Sequence, residues 1–205
     1  MKTLIVSYLP RGERSKTKKI LDAFVEEAKH KHAKIEVLDL TKDVPDFFLS
    51  ENLSAYYERN YGGAVLSPEK KKSMEKMDRM TTQLKSADFV VLAFPMFNFS
   101  VPAAVKAWFD STILKGETWD MNESGFIGLM KGKKALVIMS SGGVYEGAWA
   151  SNEHAMSLAK AEFAFMGYEV HGISAQGINM LTDKVDEIVK KAQEEAKHVA
   201  KQWYA

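Results

Sequence analysis

The stretch Phe89-Val90-Val91-Leu92-Ala93-Phe94-Pro95-Met96-Phe97-Asn98-Phe99-Ser100-Val101-Pro102 decides the fold. Its first six residues are apolar with no alternation. A strand with one wet face would alternate, so a continuous run suits a parallel strand covered on both sides. Pro95 stops the run because it has no N–H for a sheet ladder. Pro102 carries the fixed φ that opens a helix, and Val105, Trp108 and Phe109 follow on one face. The segment reads as strand, aromatic turn, helix.

The same unit repeats on either side. Thr3 to Val6, Ile35 to Leu38, Ala135 to Met139 and the weaker Tyr168 to Ile173 read as further strands. Helical spacing falls between them: Ile20, Leu21, Phe24, Val25 and Ala28 after Ser15; Ser67-Pro68 through Leu84; about Ala150 to Met166; and a last helix from Thr182-Asp183 carrying Val185, Ile188, Val189, Ala192, Val199 and Trp203. Strict β-α alternation predicts an α/β fold with a parallel sheet and helices on both faces. Five strands in this length predict a flavodoxin-like, doubly wound sheet of order 2-1-3-4-5. Ligands in such sheets sit beyond the carboxyl ends of the strands, so Ser7 to Thr17, Pro95 to Phe99 and Ser140 to Tyr145 are expected to meet. Two connections depart from the alternation. Residues 41–66 are too long for a structureless loop and are expected to be partly helical or functional. Residues 118–132 read as a hairpin or a lid.

A chain of 205 residues is expected to form one domain. Size scaling has roughly 70% of its surface buried on folding, enough for a core without staples. With 46% hydrophobic and 27% charged residues, whole-chain disorder is excluded. Twenty-eight basic against 27 acidic residues give a net charge of +1, so no global attraction to nucleic acid or anionic membrane is expected. The absence of cysteine excludes disulfides, thiolate metal sites and a cysteine nucleophile. No apolar run is long enough to span a bilayer, and a cytoplasmic location is expected.

Each strand end carries its own chemistry. Arg11-Gly12-Glu13-Arg14-Ser15-Lys16-Thr17 combines a helix start, two hydroxyls and three cations, which suits a phosphate; a plain Ser15 cap with solvated cations is the competing reading. No G-x-G-x-x-G or Walker sequence is present, so one phosphate, as in a mononucleotide, is favoured over a dinucleotide held in the Rossmann manner. Pro95, Met96, Phe97, Asn98 and Phe99 offer an apolar wall with one polar edge for a flat ring, or else a hydrophobic lid on the sheet. Ser140, Ser141, Gly142 and Gly143 bring backbone N–H groups close to a ligand, or form an ordinary turn. The five histidines lack metal-ligand spacing, and no Ser-His-Asp arrangement is supported. Chemistry on this chain therefore calls for a cofactor.

Together these motifs resemble those of the FMN-dependent NADH azoreductases, a branch of the flavodoxin-like NAD(P)H:quinone oxidoreductases. Pro95-Met96-Phe97-Asn98-Phe99 with Val101-Pro102 matches that family's P-M-[YF]-N-F-x-[IV]-P turn; Lys131-Gly132-Lys133-Lys134-Ala135 and Ser140-Ser141-Gly142-Gly143 match its K-G-K-x-A and S-x-G-G segments; Ser15-Lys16-Thr17 matches its phosphate turn. The resemblance implies FMN with its phosphate on Ser15, Lys16 and Thr17, its ring beside Pro95, Met96, Phe97, Asn98 and Phe99, and its pyrimidine end on Ser140, Ser141, Gly142 and Gly143. It implies ping-pong, two-electron transfer from NADH or NADPH to azo dyes and quinones, with no catalytic side chain. It also implies a homodimer, in which the aromatic stretch Phe47 to Tyr61 and Trp108 either line the interface or pack locally. Two other readings stay open. One is a quinone or nitroaromatic reductase with incidental azo activity. The other is a non-enzymatic electron carrier, although carriers of that kind are strongly acidic and this chain is balanced.

Overall fold

A computed structural model describes residues 1–205. Five parallel strands form the sheet: β1 (Lys2–Ser7), β2 (Lys34–Asp39), β3 (Phe89–Pro95), β6 (Lys134–Ser140) and β7 (Glu169–Ala175). Their spatial order is β2-β1-β3-β6-β7. That is the expected 2-1-3-4-5 order, renumbered because an antiparallel hairpin, β4 (Trp119–Asn122) and β5 (Gly125–Gly128), intervenes. The six helices are α1 (Lys16–His30), α2 (Ser50–Asn60), α3 (Pro68–Ser86), α4 (Ala103–Thr112), α5 (Ala155–Met166) and α6 (Val185–Trp203).

Alternate residues of the central strands divide between two apolar clusters. Leu4, Val6, Val90, Leu92, Phe94, Val137 and Met139 pack with Met80 and Leu84 of α3, Trp108 and Phe109 of α4, and Phe163 of α5. Ile5, Val91, Ala93, Leu136 and Ile138 pack with Phe24 of α1 and with Val189, Ala196 and Trp203 of α6. This explains the unbroken apolar run of β3: both of its faces are buried, so neither tolerates a polar residue. Trp108 is fully buried against Phe109 and Phe163, and so packs locally rather than lining a surface.

Ser67 caps α3 as its sequence suggests, its Oγ accepting the Lys70 N–H at 3.3 Å with Pro68 in the first turn. Two helices begin later than their periodicity implies. Helix α5 starts at Ala155, where the Glu153 carboxylate accepts the N–H groups of Ala155, Met156 and Ser157; residues 147–152 wind as a 3₁₀ turn instead. Helix α6 starts at Val185, after turns at residues 177–184.

The long 41–66 connection is indeed partly helical. Its helix α2 is fixed to α3 by a two-pronged Arg59–Asp78 pair at 2.7 and 2.8 Å. It is fixed to the start of the hairpin by Tyr56, whose hydroxyl accepts the Lys115 N–H at 3.0 Å. Burial pushes the Tyr56 phenol above its ordinary pKa, so it stays protonated. The hairpin is pressed on the end of α5. A Cβ on Gly128 would lie 2.4 Å from the Met166 carbonyl carbon, so only glycine fits.

Candidate functional site

The carboxyl ends of β1, β3, β6 and β7 open on one cleft of about 160 Å³. Ser15, Lys16, Pro95, Met96, Phe97, Ser140, Ser141 and Gly142 line it, with Pro10, Arg11, Ile178 and Asn179. Eight of the twelve expected residues therefore converge. Thr17 lies just behind the wall, wholly buried, its hydroxyl 2.6 Å from Ser140 Oγ. That bond ties the start of α1 to the end of β6. Asn98 and Phe99 are exposed at the rim, and Gly143 is half-buried beside Tyr145. Arg14 does not reach this cleft.

Two of the lining residues, Ile178 and Asn179, follow β7, whose end had no motif to draw attention to it. The strand-end rule alone could have found them, because it applies to β7 as much as to β1, β3 and β6.

One end of the cleft is built for an anion. Lys16 and Thr17 open α1, where N–H groups have no acceptor within the helix and carry its positive pole. Ser15 Oγ accepts the Lys18 N–H at 3.2 Å, which leaves its own hydrogen free to donate. Arg11 and Lys16 add charge at the same end.

The other end presents peptide N–H groups on an apolar wall. Phe97 and Ser100 bond each other in both directions at 3.0 Å, closing a four-residue turn. Its central residues, Asn98 and Phe99, have φ of 47° and 71°, the positive pair that defines a type I′ turn. Asn tolerates that region; Phe does so under strain, which marks a geometry the surroundings enforce. The enforcing contacts are visible. Met96 donates to the Ser140 carbonyl at 2.8 Å, the Phe99 carbonyl accepts the His154 N–H at 2.9 Å, and the Phe99 ring meets Tyr145 edge-on at 6.1 Å.

The turn after β6 is fastened by its carbonyls. Those of Ser141, Gly142 and Gly143 accept the N–H groups of Ile178, Asn179 and Gly177 at 3.0, 2.9 and 2.9 Å. In a trans peptide the N–H points opposite to the C=O, so the N–H groups of Gly142 and Gly143 face away from the 177–179 loop. Neither has an acceptor within the protein, and nor do those of Asn98 and Phe99. Two adjoining turns thus hold four unspent donors beside the apolar faces of Met96 and Phe97, a surface suited to the polar edge of a planar ring.

A five-stranded parallel sheet with a phosphate-type pole and a ring-type pole at its carboxyl edge is the architecture of a flavodoxin-like nucleotide binder. The family model for the flavodoxin-like fold matches residues 1–200. The chain belongs to that family, among relatives that include the FMN-dependent NADH:quinone oxidoreductases. One of these, from Coprothermobacter proteolyticus, is 34% identical over 98% of this chain and 99% of its own length. Among solved structures, an azoreductase from Bacillus anthracis superposes with a TM-score of 0.92 at 28% identity, covering 98% of this chain and 99% of that one. An FMN-dependent NADH-azoreductase from Bacillus anthracis in complex with FMN superposes with a TM-score of 0.89 at 30% identity over the whole of both chains.

No group of three His, Asp or Glu side chains is arranged to hold a metal ion. No helix is long and apolar enough to cross a membrane.

Proposed function

We propose that this protein is an FMN-dependent NADH:quinone oxidoreductase and azoreductase, one domain over residues 1–205, with FMN in the cleft at the carboxyl ends of β1, β3, β6 and β7. The observation that carries this is the pairing of a cation-flanked helix start in the cleft wall with four unspent peptide N–H groups, that of Gly142 in the wall and those of Asn98, Phe99 and Gly143 at its rim. The residues fit the cofactor at both poles. Ser15, Lys16, Thr17 and Arg11 would take the phosphate, Thr17 through its N–H rather than its buried hydroxyl. Pro95, Met96 and Phe97 would flank the ring, and Asn98, Phe99, Ser140, Ser141, Gly142 and Gly143 would meet its polar edges. The sheet beneath is read as covered on both faces, by α1 and α6 on one and by α3, α4 and α5 on the other, which keeps the strand ends rigid.

When bound, FMN supplies the two-electron chemistry, accepting a hydride equivalent from NADH or NADPH and passing it to a quinone or azo compound. The protein's part is positional. The strained turn at Asn98-Phe99 and the carbonyl-fastened turn at Gly142-Gly143 aim their N–H groups before any ligand arrives, so no reorganisation is needed as negative charge grows on the ring. Met96 and Phe97 exclude water from one side. Phe97 and Phe99, each 45% exposed, leave an apolar rim on which flat aromatic acceptors can stack. The balanced charge favours an enzyme over an electron carrier, which needs a strong field to recruit its partner.

A cytoplasmic homodimer is part of this reading. Leu49, Leu53, Tyr57 and Tyr61 recur every fourth residue along α2 and are all exposed, an apolar stripe of the kind a second subunit would cover. Sedimentation at micromolar concentration should give a dimer; a clean monomer would remove that part alone. The activity is tested by adding NADH and a small quinone to FMN-loaded protein with no other enzyme. Turnover under these conditions is expected; none, with FMN bound, would leave the carrier reading.

A further inference from the structure

A loop not used so far is fastened to the ring-side turn at both of its ends. Residues 146–153 leave the cleft after Tyr145 and return at His154. The Tyr145 ring meets the Phe99 ring edge-on at 6.1 Å, and the His154 N–H donates to the Phe99 carbonyl at 2.9 Å. A loop whose ends close on one residue is compact and stays against that residue. Its interior is ordered too. Gly147 turns the chain with a φ of 56°, the Trp149 N–H donates to the Glu146 carbonyl at 3.1 Å, and the Glu153 N–H donates to the Ala150 carbonyl at 3.2 Å.

Trp149 sits in the middle of this loop. It stands four residues past Tyr145, so its Cα lies at most about 14 Å from that anchor. The other three tryptophans, Trp108, Trp119 and Trp203, are buried and packed against other rings. Trp149 is 59% exposed, pairs with no ring, and its indole N–H has no acceptor within the protein. A single exposed apolar residue needs no explanation, but a contiguous group marks a place where something binds. Here there is such a group. Phe97, Phe99 and Met180 are exposed as well. Met180 and Tyr145 flank Gly143, where an added Cβ would lie 3.6 Å from the Met180 Sδ and 3.5 Å from the Tyr145 ring. The apolar rim thus continues from the ring-side turn across Gly143. An indole joins a large apolar face to one N–H donor, which suits a planar ring that carries a hydrogen-bond acceptor.

We propose that Trp149 is a specificity-determining residue for the electron acceptor: it adds a second stacking surface to the rim of Phe97, Phe99 and Met180 and favours planar acceptors of two fused or linked rings over those of one ring. This rests on the oxidoreductase reading above and deepens it to a class of acceptor. The Phe97–Phe99 rim suffices for a single ring. A second ring extends past it and gains the indole face.

The test has a binding arm and a kinetic arm, both on FMN-loaded protein. Calorimetry follows 2-naphthol and phenol, which accept no electrons from a reduced flavin. Steady-state assays with NADH compare 1,4-naphthoquinone and 1,4-benzoquinone. Trp149→Ala is expected to weaken 2-naphthol about fivefold, the size of one aromatic stacking contact. It should raise KM for naphthoquinone by a similar factor while kcat stays within twofold. Phenol affinity and KM for benzoquinone should move less than twofold. Trp149→Phe, which keeps a flat ring, should bring both two-ring values back to within twofold of wild type. Equal losses for one and two rings, no loss for either, or no binding of 2-naphthol to the wild type would overturn this proposal and leave the enzyme reading standing. Wild-type protein that binds FMN and reduces neither quinone would overturn both.

Discussion

Two concavities on this molecule invite comparison. The proposed flavin cleft has a volume of about 160 Å³, whereas the groove between α1 and β2 has about 780 Å³. The groove is larger and has a good apolar floor in Leu21, Val25, Ile35 and Val37, the last 62% exposed. Its polar groups, however, are spent on one another. Lys18 holds Asp22 at 2.7 Å, and the Asp39 carboxylate accepts the Thr41 N–H and hydroxyl at 3.0 and 2.7 Å. The smaller cleft has a helix start, an unpaired Arg11 and, in its wall and at its rim, four peptide N–H groups with no internal acceptor. Size marks where something fits; unspent donors mark where something is held.

The contrast breaks most sharply on steric variants of the two places. At position 142 an added Cβ would already lie 2.6 Å from Asn179 Nδ2, and a large side chain would enter the cleft. Gly142→Trp is expected to weaken FMN at least a hundredfold by calorimetry. Val37→Trp, in the groove, should leave FMN affinity within twofold. Equal losses would mean that size alone selects the site.

A smaller effect is expected from the strained turn. Asn98→Ala gives up the residue type that tolerates φ of 47°, at a cost of about 1 kcal/mol. Thermal unfolding should then begin about 2–4 °C lower. Flavin reduction by NADH in a stopped-flow instrument should slow about tenfold, while Asn98→Gly should hold the backbone and keep most of the rate. Unchanged reduction in Asn98→Ala would make this turn a packing feature.

Thr17 and Ser140 test the wall between the two turns. Thr17→Val keeps the shape and removes the buried 2.6 Å bond, at about 1 kcal/mol. FMN should bind several-fold more weakly, through displacement of the start of α1. Thr17→Ser should restore it. A Thr17→Val protein of lowered stability but unchanged FMN affinity would separate wall from site.

The smallest effect belongs to the groove. Burial raises the Asp39 carboxyl pKa, but bonds from Thr41 and the charge of Lys42 outweigh it and hold it below its ordinary 3.8. A lowered folded pKa means stability that is present above the unfolded value and lost as pH falls through the folded one. Asp39→Asn should therefore lower the melting temperature slightly at pH 7. The difference from wild type should begin to shrink near the ordinary value of 3.8 and vanish only as pH falls through the lower folded pKa, with FMN affinity at pH 7 unaffected.

The sheet was legible because burial on both faces writes itself into consecutive residues, as in Phe89 to Phe94. Its order followed from alternation and handedness. The start of α5 was not, because Ala150 fits an apolar period as well as Ala155 does and only the Glu153 carboxylate chooses between them. Helix α2 was hidden in a long connection because what fixes it, the Arg59–Asp78 pair and the Tyr56 bond to Lys115, is tertiary. In the site, Ser15, Met96 and Gly142 sat on recognisable turns. Ile178 and Asn179 carried no motif, since their part is to anchor the carbonyls of Ser141 and Gly142 and so free the N–H groups on the far side. Thr17 was read as a phosphate donor from its hydroxyl, and only the packed structure shows that hydroxyl turned to Ser140.

The direct measurement is a visible absorbance spectrum of the FMN-supplemented, desalted protein, recorded before and after anaerobic addition of NADH. A yellow protein that bleaches on addition is the expected result, since the cleft would then hold the flavin where NADH can reach it. A protein that leaves the column colourless would contradict the assignment of the strand-end cleft to FMN.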